Sequence, residues 1–170
     1  MIHLVTGGAR SGKSTWAQLA AEGTAGADLL FVATAEALDA DMADRIRRHR
    51  EDRGARWRTA EAPVAVADVL RSARADAIVL DCLTLWVSNL VCGLDASDAE
   101  LARRTDELVE ALRAQAAPTW IVTNEVGLGI VPADALSRRY RDALGRCNQR
   151  VAAAADRVTL MVAGLPLSVR

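Results

Sequence analysis

Residues 7–14, GGARSGKS, fit the pattern G-x-x-x-x-G-K-[ST] and stand between an apolar run, IHLVT, and a stretch with helical spacing, KSTWAQLAAE. A strand, a glycine-rich turn and a helix in that order specify a parallel α/β unit whose turn opens toward an anion. The glycines let the backbone bend so that successive N–H groups face one concavity, and the following helix directs its N-terminal dipole at the same point. Gly7, Gly8, Ala9, Arg10, Ser11, Gly12, Lys13 and Ser14 are therefore read as nucleotide-binding, with Lys13 on the outer phosphates and Ser14 as a magnesium ligand. The plainer alternative is an ordinary glycine-rich βα turn. Composition weighs against it: of the 21 basic residues, Lys13 is the single lysine. A compact ammonium is retained at the one place where a broad guanidinium would not fit.

The rest of the chain alternates in the same way. LLFVAT, AIVLD, TWIVTN and RVTLMVAG read as further strands. Between them lie helical stretches: PVAVADVLRSAR, LTLWVSNLVC, ASDAELARRTDELVEALRAQ and ADALSRRYRDALGRCNQRVAAAAD. In KSTWAQLAAE, Trp16, Leu19 and Ala20 are expected on one side, and Leu101, Leu108 and Leu112 share a face of the long third helical stretch. Continuous apolar strands separated by helices imply an open, mainly parallel sheet with helices on both faces. The fold class is α/β, a single P-loop NTPase-like domain over residues 1–170.

The net charge is −1, which argues against broad nucleic-acid binding but leaves room for a local anion site. No stretch reaches about 18 uninterrupted apolar residues, so no membrane span is expected, and the N-terminus lacks the pattern of a signal peptide. Cys82, Cys92 and Cys147 show no metal or redox spacing and read as reduced thiols, which fits a cytoplasmic protein. His3 lies inside the first strand and reads as structural. The four tryptophans fall among apolar residues and read as core or subunit contacts.

AIVLD ends in Asp81, placing a carboxylate where a central strand of a P-loop protein holds magnesium, directly or through water. A second charged cluster is harder to read. DRIRRHRE, residues 44–51, contains His49, one of two histidines in the chain. On a helix, Arg45 and Arg53 lie four residues either side of it, and Asp52 three beyond. Arginines there offer forked donors to phosphate and disfavour a protonated imidazole. A neutral imidazole can attack phosphorus. The alternative is a solvated basic face, and spacing alone does not decide between them.

The chain resembles the bifunctional adenosylcobinamide kinase / adenosylcobinamide-phosphate guanylyltransferase family. The matching stretches are LVTGGARSGKS, ATAEALDADMADRIRRHREDR, WRTAEAP, LDCLTLWVSN, VTNEVGLGIVP and RRYRDALGRCNQRVAAAADRVTLMVAGLP, in the family's order over nearly the whole length. The resemblance implies two reactions. ATP or GTP phosphorylates the aminopropanol hydroxyl of adenosylcobinamide; GMP is then transferred from GTP to that phosphate through a guanylylated histidine, releasing pyrophosphate. His49 is the matching position. The family's nucleotide contacts map onto Gly7 to Ser14, Ala33, Thr34, Ala35, Arg50, Glu51, Asp52, Arg53, Glu61 and Asp81. The corrinoid is the implied small-molecule partner, Mg2+ the cofactor, and a homo-oligomer, typically a trimer, the implied assembly. Asn124 and Glu125 end the fourth of these strands, and the VGLGIVP loop after them is read as one that closes over the corrinoid. The competing readings are a P-loop kinase of another small metabolite and a regulatory nucleotide-binding NTPase; a simple kinase has no evident use for a nucleophilic histidine there, though it could use the arginines as a phosphate lid.

Overall fold

A computed structural model of the chain describes residues 1–24, 26–36, 44, 47, 53–54 and 56–170. Seven strands form one sheet: β1 (Ile2–Gly7), β2 (Leu29–Ala33), β3 (Trp57–Glu61), β4 (Ala77–Asp81), β5 (Thr119–Val122), β6 (Arg157–Val162) and β7 (Leu165–Ser168). Their order is β3-β2-β4-β5-β1-β6-β7. Every neighbouring pair is parallel except β6 and β7, which are antiparallel. The open, mainly parallel sheet read from the apolar runs is thus present.

The two faces of the sheet carry separate apolar clusters, because successive residues of a strand point to opposite sides. Leu4, Leu30, Val32, Ile78, Leu80 and Ile121 join the larger cluster. Helices α2 (Val66–Ser72), α3 (Leu83–Ser88), α4 (Asp98–Ala114) and α5 (Ala135–Ala154) cover it. Leu101, Leu108 and Leu112 of α4 are buried there, as their spacing required. On the opposite face Val5, Phe31, Val79, Trp120, Val122 and Met161 pack with Ala17 and Ala21 of α1 (Lys13–Glu22).

Four features differ from the sequence reading. WRTAE forms β3, a strand that alternation did not reveal, since an edge strand buries only Trp57 fully and leaves Arg58 and Glu61 to water. LPLS forms β7, turning back after Ala163 and Gly164, both with positive φ. In α1 the buried residues are Lys13, Ala17 and Ala21, with Trp16 and Ala20 only part-buried and Leu19 62% exposed. The small alanines face the sheet because the helix lies close against it, and Leu19 is rotated away. Finally, LTLWVSNLVC is not one α-helix: α3 ends at Ser88 and a π-turn spans Asn89–Gly93.

His3 is buried, sharing a 2.8 Å hydrogen bond between Nε2 and the Thr159 hydroxyl, with Trp16 edge-on at 5.3 Å. Burial, reinforced by nearby Arg157, lowers its pKa, as suits a neutral core histidine. Trp57, Trp86 and Trp120 are buried. All three cysteines are free; Cys82 and Cys147 are buried and Cys92 is exposed. Among the described residues no helix is long and apolar enough to cross a membrane.

Candidate nucleotide site at the carboxyl edge of the sheet

In an open parallel sheet the carboxyl ends of the strands form the natural crevice for a ligand. Here Gly7–Lys13, Ala33–Ala35, Glu61, Asp81 and Asn124–Glu125 all leave the sheet on that edge.

The GGARSGKS loop has the backbone of an anion cradle. Gly7 sits at φ +149°, where a Cβ would lie 2.5 Å from the Met161 carbonyl oxygen. Gly12, the residue before α1, is at φ +88°, and Arg10 is at φ +56°. Alternating signs of φ turn consecutive N–H groups toward one side, the geometry of an anion-binding nest. Gly8, Ala9 and Arg10 are exposed, Ser11 is buried, and Ser14 is half-buried at the start of α1.

Lys13 is only 6% exposed. Its ammonium donates to the Gly8 carbonyl at 2.6 Å and to the Ser11 hydroxyl at 3.3 Å, both atoms of the cradle. Burial lowers its pKa, while the Asp81 carboxylate opposes that shift. The charge is therefore held inside the loop, facing the carboxylate at the end of β4. Ser14 and Asp81 together present a hydroxyl and a carboxylate, hard oxygen donors suited to magnesium. Among the described residues no cluster of three or more His, Cys, Asp or Glu could hold a metal alone. That donor set fits an ion carried in on phosphates and completed by them.

Thr34 has a role that the sequence did not suggest. It is fully buried, its hydroxyl donates to the Cys82 carbonyl at 2.8 Å, and it accepts from the Cys82 N–H at 2.8 Å. Its own backbone is engaged as well, by N–H to the Asp81 carbonyl and by C=O from the Asn89 side chain. Thr34 thus clamps the residue after Asp81 and holds that carboxylate in place. Thr34→Val is expected to orphan the Cys82 N–H at about 1–3 kcal/mol, while the Cys82 carbonyl keeps its bond from the Trp86 N–H. At roughly 2–4 °C per kcal/mol for a chain of this size, thermal melting should show a drop of several degrees; an unchanged melting temperature would dismiss the clamp.

Ala33 is the last residue of β2, in register with Asp81 on one side and Glu61 on the other. Ala35 follows, half-buried, and Glu61 is exposed. Arg53 is buried with its guanidinium 3.7 Å above the Phe31 ring, a cation–π contact on the face that carries α1. His49, Arg50, Glu51 and Asp52 lie outside the described residues.

A second network, missed in the sequence, fixes the end of β5. Asn124 donates from its backbone and side chain to the Thr84 hydroxyl, at 3.1 and 2.9 Å. Thr123 donates to Asn148, which in turn donates to the Asn124 carbonyl. Tyr140 donates to the Thr84 carbonyl, and burial pushes its pKa up to about 12. Asn148, a polar residue among the buried positions of α5, was the one legible signal for this network. Beyond Glu125 the loop is apolar and open, with Leu128 86% and Ile130 98% exposed.

Comparison with known proteins gives concordant results. The family model described as cobinamide kinase / cobinamide phosphate guanyltransferase matches residues 3–169. The bifunctional adenosylcobalamin biosynthesis protein CobU of Salmonella typhimurium is 43% identical over 186 residues, covering 100% of both chains. CobP of Pseudomonas aeruginosa, described in the same words, is 45% identical over 174 residues, covering 100% of this chain and 98% of its own. Among solved structures, the flagellar accessory protein FlaH of Methanocaldococcus jannaschii superposes with a TM-score of 0.55 at 12% identity, over 99% of this chain and 77% of its own. A type III secretion ATPase does so with a TM-score of 0.56 at 11% identity, over 99% of this chain and 56% of its own. At such identities these two speak for the fold alone, an α/β core around a mainly parallel sheet.

Proposed function

The chain belongs to the cobinamide kinase / cobinamide phosphate guanyltransferase family, and from that membership we propose the course of its two reactions and the residues that perform them. It is a bifunctional kinase and guanylyltransferase of cobalamin biosynthesis. In the first reaction the hydroxyl of adenosylcobinamide attacks the γ-phosphorus of ATP or GTP, and a nucleoside diphosphate leaves. In the second, His49 attacks the α-phosphorus of GTP and pyrophosphate leaves. An oxygen of adenosylcobinamide-phosphate then attacks the guanylyl phosphorus, giving adenosylcobinamide-GDP and freeing the imidazole.

The observation that carries this reading is the cradle with its buried lysine. Gly7 to Gly12 bind the phosphate chain through backbone N–H groups, and Lys13 neutralises charge as a phosphoryl or guanylyl group departs. Ser14 and Asp81 would hold magnesium, whose charge would offset negative charge on the phosphates. Ala33, Thr34, Ala35, Arg50, Glu51, Asp52, Arg53 and Glu61 complete the proposed nucleotide site. Thr34 acts there by clamping the edge, since its hydroxyl is already engaged. The exposed apolar loop after Glu125 supports the reading that it closes over the corrinoid. Leu165, Leu167 and Val169, all exposed at the sheet edge, support a homo-oligomer, a trimer by family. The whole chain works as one cytoplasmic domain.

The decisive experiment incubates the protein with magnesium and GTP labelled at the α-phosphate, denatures it and counts retained label. Wild type should keep acid-labile label, and His49→Ala should keep none. Absence of α-label under conditions where GTP binds would leave a plain kinase as the better account.

A further inference from the structure

The carboxylates at the carboxyl edge sort by their distance from the cradle. Among the described residues Glu36 follows β2 and Glu61 ends β3, strands that β4 and β5 separate from β1. Asp81 ends β4, and its charge acts on the Lys13 ammonium. Glu125 follows β5, the strand paired with β1 on one side and with β4 on the other. It therefore emerges between the cradle and Asp81.

Glu125 is also tied to the cradle directly. Its N–H donates to the Gly7 carbonyl at 3.2 Å, and the Thr6 hydroxyl donates to its Oε1 at 2.5 Å. Both partners are the last residues of β1. The residue before it, Asn124, is fastened to Thr84 and Asn148, so the carboxylate stands on a braced strand end. A carboxylate accepts on both oxygens, and the Thr6 contact fixes the orientation of the group through one of them. The apolar, exposed loop from Val126 begins at the next residue. A half-buried acceptor lies between the phosphate cradle and a surface suited to a large, partly apolar molecule.

We propose that Glu125 is the general base of the kinase reaction; the proposal rests on the activity assigned above. The acceptor hydroxyl gives its proton to Glu125 as its oxygen bonds to the γ-phosphorus. The bond from that phosphorus to the bridging oxygen breaks, and its electron pair leaves on the nucleoside diphosphate. The proton then passes from Glu125 to solvent. The guanylyl transfer has a different requirement. Its acceptor is a phosphate oxygen that is already deprotonated near neutral pH, and no proton needs removing. Loss of Glu125 should therefore separate the two activities of one site.

The test measures both reactions in Glu125→Gln and Glu125→Asp, with adenosylcobinamide and γ-labelled ATP for one, and adenosylcobinamide-phosphate and GTP for the other. In Glu125→Gln the kinase kcat should fall about 10²–10⁴-fold. Its KM for adenosylcobinamide should stay within about threefold, the mark of a group acting only in the transition state. Guanylyl transfer to adenosylcobinamide-phosphate should persist, and Glu125→Asp should recover part of the kinase rate. An unchanged kinase kcat would overturn the proposal. So would a raised KM at full kcat, which would make Glu125 a binding residue, or an equal loss of both reactions, which would make it a support of the cradle. If wild type phosphorylates no corrinoid while Glu125→Gln still binds GTP, the assigned activity fails and takes this inference with it.

Discussion

Lys13→Ala is expected to abolish both the phosphorylation of adenosylcobinamide and the guanylylation of the protein, while the melting temperature stays level or rises. The two halves of this result have one cause. The ammonium is almost wholly removed from water and is lodged against the Gly8 carbonyl and the Ser11 hydroxyl. A charge so placed is costly to bury, and its lowered pKa records that cost. On the proposed mechanism, a transferring phosphoryl or guanylyl group develops negative charge at the same place. Removing one well-aimed donor of this type lowers kcat by about 10²–10³-fold. The assay compares initial rates and retained α-label with a thermal melt of the same samples. Guanylylation that survives in Lys13→Ala would refute the shared role. A large fall in melting temperature would mean instead that the ammonium is a structural strut.

Trp86→Ala should produce the largest loss of stability of any single change discussed. The side chain is 2% exposed in α3, five residues after Asp81, and belongs to the larger core cluster. Its indole N–H donates to the Val64 carbonyl at 2.9 Å, linking α3 to the segment that follows β3. Truncating a buried tryptophan to alanine costs about 3–5 kcal/mol through lost transfer energy and the void left behind. For a chain of this length that corresponds to roughly 6–20 °C in melting temperature. The denaturant midpoint should move with an unchanged slope if only the native state is affected. Trp86→Phe separates the contributions, since it keeps most of the apolar volume and loses the hydrogen bond, a change of about 1 kcal/mol. If the alanine variant melts within 2 °C of wild type, an estimate well under one lost core contact, the packing described for α3 is wrong.

The legible parts of this fold were those whose physics is local. The strand–loop–helix at residues 2–22 is readable because glycine, lysine and serine each meet a backbone or charge requirement within a few residues. The five apolar runs are readable because strands buried on both faces carry continuous hydrophobicity. β3 and β7 escaped notice because they are edges: Arg58 and Glu61 are open to water, and so is all of β7; the partner of β3, moreover, lies far back along the chain in β2. Leu19 was assigned to the core on its chemistry, yet the sheet lies so close to α1 that alanines face it. In the site, Lys13 and Asp81 announced themselves through motif and strand end. Thr6, Thr34, Thr84 and Asn148 did not, since a hydroxyl or amide becomes a brace only once tertiary structure supplies its partner.

The turn between β6 and β7 bears on the start of the chain as well as its end. Gly164 donates to the Ser11 carbonyl at 3.2 Å, its Cα would sit 3.5 Å from a Cβ on Gly12, and the Met161 carbonyl closes off any side chain at Gly7. The phosphate-binding loop is thus shaped on one flank by residues some 150 positions later in sequence, which are laid down long after it during synthesis. A nascent chain holds the whole motif long before it holds the surface that gives the motif its form. Nucleotide affinity should therefore be acquired late and abruptly, as the β6–β7 hairpin docks, so that a chain made only as far as the motif does not sequester nucleotide.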